Sequence, residues 1–154
     1  MNDPETAPTP LLIDHIRARY HDTHRSELAD LLGLARDVEA AHGNDPNSPH
    51  GLSHALEAMI AGLEAHMCRE EEFVFPSLRA GCAAEPIAAI RQEHRDQEAA
   101  LDRIAAITHG FRLPRYACRS WRRLYDGLGK FVDDFDEHIY LENEVLFPRV
   151  ESQT

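Results

Sequence analysis

The chain has 154 residues, 43% hydrophobic and 28% charged, which is enough for one domain with a buried core. Its 27 acidic residues against 16 basic ones leave a formal charge of −11, arguing against nucleic acid and against an anionic membrane surface as partners. No apolar run approaches the ~20 residues of a membrane span and no signal peptide opens the chain, so the expected setting is cytoplasmic, with Cys68, Cys82 and Cys118 as reduced thiols.

Residues 1–10, "MNDPETAPTP", carry three prolines and little to bury, and read as a mobile tail ahead of a domain over 11–150. Thr9-Pro10 reads as an N-cap with proline at the first helical position. From there to His42, Ile13, Ile16, Tyr20, Leu28, Leu31, Ala35 and Val38 mark one face of a first helix. "GNDPNSPHG" is a loop by composition. A second helix is predicted from Leu52 to Arg79, stopping at Gly81. A third begins near Glu85-Pro86 and runs to Thr108 through Ile87, Ile90, Leu101 and Ile104. After "HGFRLPR", a fourth spans Tyr116 to Phe147, with Trp121, Leu124, Leu128, Phe131, Val132 and Phe135 on its buried side. No alternating strand pattern intervenes. Four long helices with short connections predict an all-α, up-down-up-down four-helix bundle.

The second helix ends in "HMCREEEFVFPSL" and the fourth in "HIYLENEVLFPRV". Both read His-x-x-x-Glu-x-Glu-x-x-Phe-Pro, with His66, Glu70 and His138, Glu142 in the same register. Aligning "RYHDTHRSEL" with "QEHRDQEAAL" sets His21 over His94 in the first and third helices. The chain thus reads as two helical hairpins of one design. Residues four apart share a helix face, so each His-Glu pair can point inward together. Four imidazoles and two carboxylates then converge between the helices. Buried carboxylates need a compensating cation, and this donor set suits two iron ions. The Glu-x-x-His spacing of ferritin-type sites occurs only at Glu39 and His42, near a helix end, and is set aside. Periodicity alone places His24 nearer the middle of the apolar face, whereas the repeat favours His21 as the ligand, with His24 expected as an interior histidine or one that supports a ligand. Glu72 and Glu144 are expected at the surface, Cys68 as a packing thiol, and His15, His42, His50, His54 and His109 as exposed or locally bonded. The Phe-Pro steps are expected to cover one end of the core and to loosen the helices just past the ligands.

Together, "LIDHIRARYHDTHRSEL", "LEAHMCREEEFVFPSL", "QEHRDQE" and "DDFDEHIYLENEVLFPRV" resemble the hemerythrin-like di-iron domain of the repair-of-iron-centres family. Position by position, the resemblance implies metal ligands His21, His66, Glu70, His94, His138 and Glu142. It further implies two irons bridged by Glu70 and Glu142 and by an oxo or hydroxo group. It implies a role in restoring iron–sulfur clusters after nitrosative or oxidative damage, by iron donation or nitric oxide handling, with an iron–sulfur protein as client. The alternative is a module that binds or senses oxygen or nitric oxide, and any catalysis would be di-iron redox chemistry on such small molecules. The family's N-terminal cysteine-containing domain is not seen here, and monomer and dimer both stand. Oxygen carriers of the hemerythrin class place a second histidine where this chain has Glu98. Relatives pair glycine on the third helix with a carboxylate on the second, and this chain reverses that with Glu98 and Gly62. Glu98 is therefore expected to reach the metal of His66 and His94, directly or through water.

Overall fold

A computed structural model describes residues 3–82 and 87–151, and these form four helical rods. The first comprises α1 (Thr9–Ile16), a π-helical turn (Arg17–His21) and α2 (Asp22–Ala41). The second comprises α3 (Leu52–Arg69), a π-helical turn (Glu70–Val74) and α4 (Phe75–Arg79). The third is α5 (Ile87–Ile107); its expected start at Glu85-Pro86 lies outside the described residues. The fourth comprises α6 (Arg119–Tyr140), a π-helical turn (Leu141–Leu146) and α7 (Phe147–Glu151). Among the described residues there is no strand, and α2 packs on both α3 and α6 while α3 packs on α5. This is the up-down-up-down bundle that the short loops and apolar stripes predict.

Local chemistry sets the rod ends. Pro8 takes the N-cap of α1 and Pro10 falls in its first turn, where a missing N–H removes no helical bond. The Glu39 carboxylate accepts the Ser53 N–H at 2.8 Å and the Ser53 hydroxyl at 2.9 Å, capping the next helix across the loop. Gly81, at φ 81°, ends α4; its N–H bonds to Leu78 O and that of Cys82 to Ser77 O, which satisfies two carbonyls of the last turn. Arg149 donates to Ala7 O, Glu5 O and Thr9 Oγ1, tying the segment ahead of α1 to α7. Gly127 allows α6 to approach α2 closely, since a Cβ there would stand 2.5 Å from Leu31 Cδ2.

The core falls into two parts. One is built around Leu28, Leu56, Leu63, Trp121, Leu128 and Phe135. The other is built around Ile13, Ile16, Phe75, Ile90, Leu146 and Phe147. Between them lies a layer of buried polar side chains.

A candidate metal centre between the four rods

Three of the rods carry a π-helical turn at that layer, and each brings a polar side chain inward. In the second rod the Phe75 N–H bonds to Glu70 O, and in the fourth the Phe147 N–H bonds to Glu142 O, five residues back instead of four. Proline explains the position of both. Pro76 and Pro148 have no N–H, so the usual bond four residues back fails there and the widened turn sits just ahead. The first rod has the same i−5 bond, from the Asp22 N–H to Arg17 O, without a proline. Its extra residue is visible against the third rod: five residues separate Ile16 from His21, but four separate Ile90 from His94.

His21, Glu70, His94, His138 and Glu142 are fully buried, and His66 almost so. They form two tetrads, His21–Glu70–His138–Glu142 and His66–Glu70–His94–Glu142, each with donor atoms within 4.8 Å of one another. Both carboxylates belong to both tetrads. His66 Nε2 lies 3.1 Å from Glu70 Oε1, and His94 Nε2 lies 2.9 Å from Glu142 Oε1. His138 Nε2 is 2.6 Å from Glu142 Oε2, while His21 Nε2 is 3.4 Å from Glu70 and 3.7 Å from Glu142.

These approaches are close but mostly not aligned as hydrogen bonds. Nε2 of His21, His66 and His94, both oxygens of Glu70 and Oε1 of Glu142 are buried without a hydrogen-bond partner. So many orphaned donors at one point would be strongly destabilising unless their lone pairs share a cation. Neutral imidazoles with two shared carboxylates are the chemistry of a first-row transition-metal pair, so the residues present fit such a centre.

The other ring nitrogens point outward and are held. His21 Nδ1 donates to Glu71 at 2.7 Å, His66 Nδ1 to Glu93 at 3.2 Å and His94 Nδ1 to Asn143 at 2.8 Å. His138 Nδ1 meets His24 Nε2 at 3.1 Å. The three bonds to oxygen acceptors each fix a tautomer with the Nδ1–H outward and Nε2 facing the centre, while between His138 and His24 one ring nitrogen donates and the other accepts. Glu71 is itself gripped by Arg25, which also binds Glu64. Phe75 stacks on His21, Tyr20 on His138 and Phe147 on His94, excluding water from three of the four imidazoles.

Without a cation, proton affinity reports the crowding. Burial opposes a proton on His21, but the carboxylates of Glu142 and Glu70 close to its Nε2 outweigh it and raise the pKa to about 10. Burial likewise opposes the His66 proton, and the Glu70 charge overrides it, to about 9. The same balance raises His94. Burial works against ionised Glu142, yet the imidazoles around it hold its pKa well below the usual carboxylate range. His24 behaves oppositely: burial, reinforced by His138 and His21, depresses it to about 3, so it stays neutral.

His24 is thus an interior histidine that orients His138, and it lies outside both tetrads. Glu98 does not meet the expectation: it is exposed, and the buried position one turn beyond His94 is Gln97. The rotation of α5 decides this, since His94, Gln97 and Leu101 share its inner face. Glu72 and Glu144 are exposed. His42 contacts Cys118 at 3.4 Å, His50 bonds to Asp45 O, and His54 and His109 are exposed. The sequence reading missed Glu71, Glu93, Asn143 and Arg25. A signal existed for two of them, since Glu71 and Asn143 directly follow Glu70 and Glu142 in the repeated motif.

The pattern of the hemerythrin HHE cation binding domain matches residues 12–150. The chain is 40% identical over 150 residues to the iron-sulfur cluster repair protein YtfE of Citrobacter koseri, covering 96% of this chain and 68% of that protein. The YtfE proteins of Salmonella newport and Salmonella agona match to the same extent. A match over nearly the whole bundle, with both His-Glu motifs inside it, settles the family: this chain belongs to the hemerythrin HHE cation binding domain family.

Proposed function

We propose that this protein holds two iron ions and serves the repair of damaged iron–sulfur clusters. The observation that carries the reading is the pair of tetrads that share both carboxylates; the YtfE relatives, whose name is that of a cluster repair protein, supply the biological direction. In this reading His21 and His138 bind one ion, His66 and His94 the other, and Glu70 and Glu142 bridge them, with an oxo or hydroxo group completing the bridge. Such a pair, when bound, supplies one-electron redox chemistry and releasable iron. The chain's own residues do the rest. Glu71, Glu93, Asn143 and His24 keep each Nε2 deprotonated and aimed inward, and the stacked aromatic rings keep water away. The client is an iron–sulfur protein and nitric oxide or oxygen is the small ligand, in a cytoplasmic setting; no helix among the described residues is long and apolar enough to cross a membrane.

Metal analysis of the purified chain should find about two irons, with an absorption band from the shared bridge. The loaded protein, but not the chelated one, should restore a cluster enzyme damaged by nitric oxide. A metal-free preparation, or equal restoration by the chelated protein, would overturn the reading. His21→Leu should lower the content to about one iron by emptying the site it shares with His138, and His94→Leu should empty the one shared with His66. Distinguishable spectra of the two variants test the pairing. Arg25→Met removes the grip on Glu71, so the His21 site should weaken about 10–100-fold in chelator competition, leaving the other tighter. Equal weakening of both sites would place the effect elsewhere.

A further inference from the structure

The three aromatic rings stacked on imidazoles of the tetrads are not chemically alike. Phe75 lies on His21 and Phe147 on His94. On His138 the ring is Tyr20, with centroids 5.5 Å apart and planes 10° from parallel. A phenylalanine ring resists one-electron oxidation. A phenol gives up an electron far more readily when its O–H proton can leave at the same time. The other buried phenol and indole, Tyr125 and Trp121, stand thirteen and seventeen residues before His138 on α6, ~20 and ~25 Å along the axis. Tyr20 is therefore the oxidisable ring at the centre.

Its proton has an outlet. Tyr20 is 4% exposed, and its hydroxyl donates to Glu137 Oε2 at 3.0 Å. Glu137 is exposed, and both residues line a surface pocket of about 200 Å³ together with Asp3 and Tyr140. A proton handed to Glu137 is thus in reach of solvent. The Arg19 guanidinium lies 4.9 Å from the centroid of the Tyr20 ring and is held by Asp134 at 2.9 Å. A positive charge over the ring opposes a cation radical, so electron and proton must leave Tyr20 together.

We propose that Tyr20 is a one-electron donor to the metal centre, used when hydrogen peroxide meets a pair in which one iron is ferrous and the other ferric. The proposal rests on the iron reading above. A single ferrous ion acting alone splits peroxide into hydroxide and a free hydroxyl radical. Reducing peroxide fully, to two waters, takes two electrons and two protons. One electron comes from the ferrous iron, which becomes ferric. Tyr20 supplies the other through the stacked His138 and becomes a neutral phenoxyl radical. Its proton passes from Oη to Glu137 Oε2 and on to solvent, and this proton with one more from solvent completes the two waters.

The test is electron paramagnetic resonance on the full chain, loaded with iron, reduced by one electron per pair, mixed with hydrogen peroxide and freeze-quenched. A tyrosyl signal should appear and should narrow when the protein carries ring-deuterated tyrosine. A nitroso spin trap should mark the peptide that holds Tyr20, read by mass spectrometry. Tyr20→Phe keeps a ring over His138, so it should retain both irons and lose the signal. Glu137→Gln keeps a hydrogen-bond acceptor that cannot take the proton, so the signal should form about 100-fold more slowly. Tyr140→Phe, in the wall of the pocket, should leave the signal unchanged. A chain with two irons that gives no tyrosyl signal overturns the proposal and leaves the iron reading standing. So does a signal that persists in Tyr20→Phe, or one that forms at an unchanged rate in Glu137→Gln. A chain that takes up no iron overturns both.

Discussion

Replacing Glu142 with leucine is expected to empty both metal sites at once. Its two oxygens face different imidazoles: Oε2 lies 2.6 Å from His138 Nε2 and Oε1 lies 2.9 Å from His94 Nε2. Those histidines belong to different tetrads, and Glu142 is common to both. Its loss removes a ligand and a negative charge from each site, leaving two cations sharing the charge of Glu70 alone. Glu70→Leu should do the same, since Glu70 also serves both tetrads. Iron content should fall from about two per chain to below about one half, because a bridging carboxylate serves both ions. The surface control is Glu98→Gln, which should retain full metal. One iron kept tightly by Glu142→Leu would remove the bridging assignment. Leucine is chosen because it fills similar space without a charge; it also leaves the imidazoles of the metal-free chain without the Glu142 carboxylate, so the metal-free variant should melt below the metal-free parent, and retained helical circular dichroism at about 25 °C separates metal loss from unfolding.

Metal removal and pH should move stability together, in a direction set by the buried histidines. The metal-free chain holds protons on His21 to about pH 10 and on His66 to about pH 9, against 6.5 for an ordinary imidazole. A pKa raised by folding contributes stability that is fully present below 6.5 and is lost as pH climbs through the folded value. His24, depressed to about 3, contributes stability present above 6.5 and lost as pH falls towards 3. The depressed Glu142 adds a further loss in acid, below its usual range. The metal-free protein should therefore melt highest near pH 6.5 and lose stability on either side. In the loaded protein ligation has already displaced those protons, so its alkaline decline should be absent. Metal should thus raise the melting temperature by roughly 5–15 °C at pH 7, for metal at a hundred to a thousand times its dissociation constant. The gap should widen towards pH 9. Loading at pH 7 should release protons, measured by calorimetry in buffers of different ionisation heat, and acid should strip the metal. A metal-free melting temperature flat from pH 6.5 to 9, or loading without proton release, would contradict this account.

The parts of the protein that depend on neighbours in the chain were legible in the sequence. The stripe from Ile13 to Val38, or from Trp121 to Phe135, specifies a helix and its buried face, because backbone hydrogen bonding repeats every 3.6 residues whatever lies around it. For the same reason His66 with Glu70, and His138 with Glu142, had to share a face. Helical periodicity could not choose between His21 and His24, although the internal repeat favoured His21. The π-helical turn over Arg17–His21 inserts one residue into the count, and no proline marks it, so His21 faces the centre while His24 supports His138. Nor could spacing tell Gln97 from Glu98. Positions three and four beyond His94 lie close to the same face, and only the rotation of α5 against α3 sends one inward and the other to solvent. The grip of Arg25 on Glu71, of Glu93 on His66 and of Asn143 on His94 joins residues from different rods. Such contacts are selected by how the rods rotate and slide against one another. That is a property of packing, and a helix read alone carries no record of it.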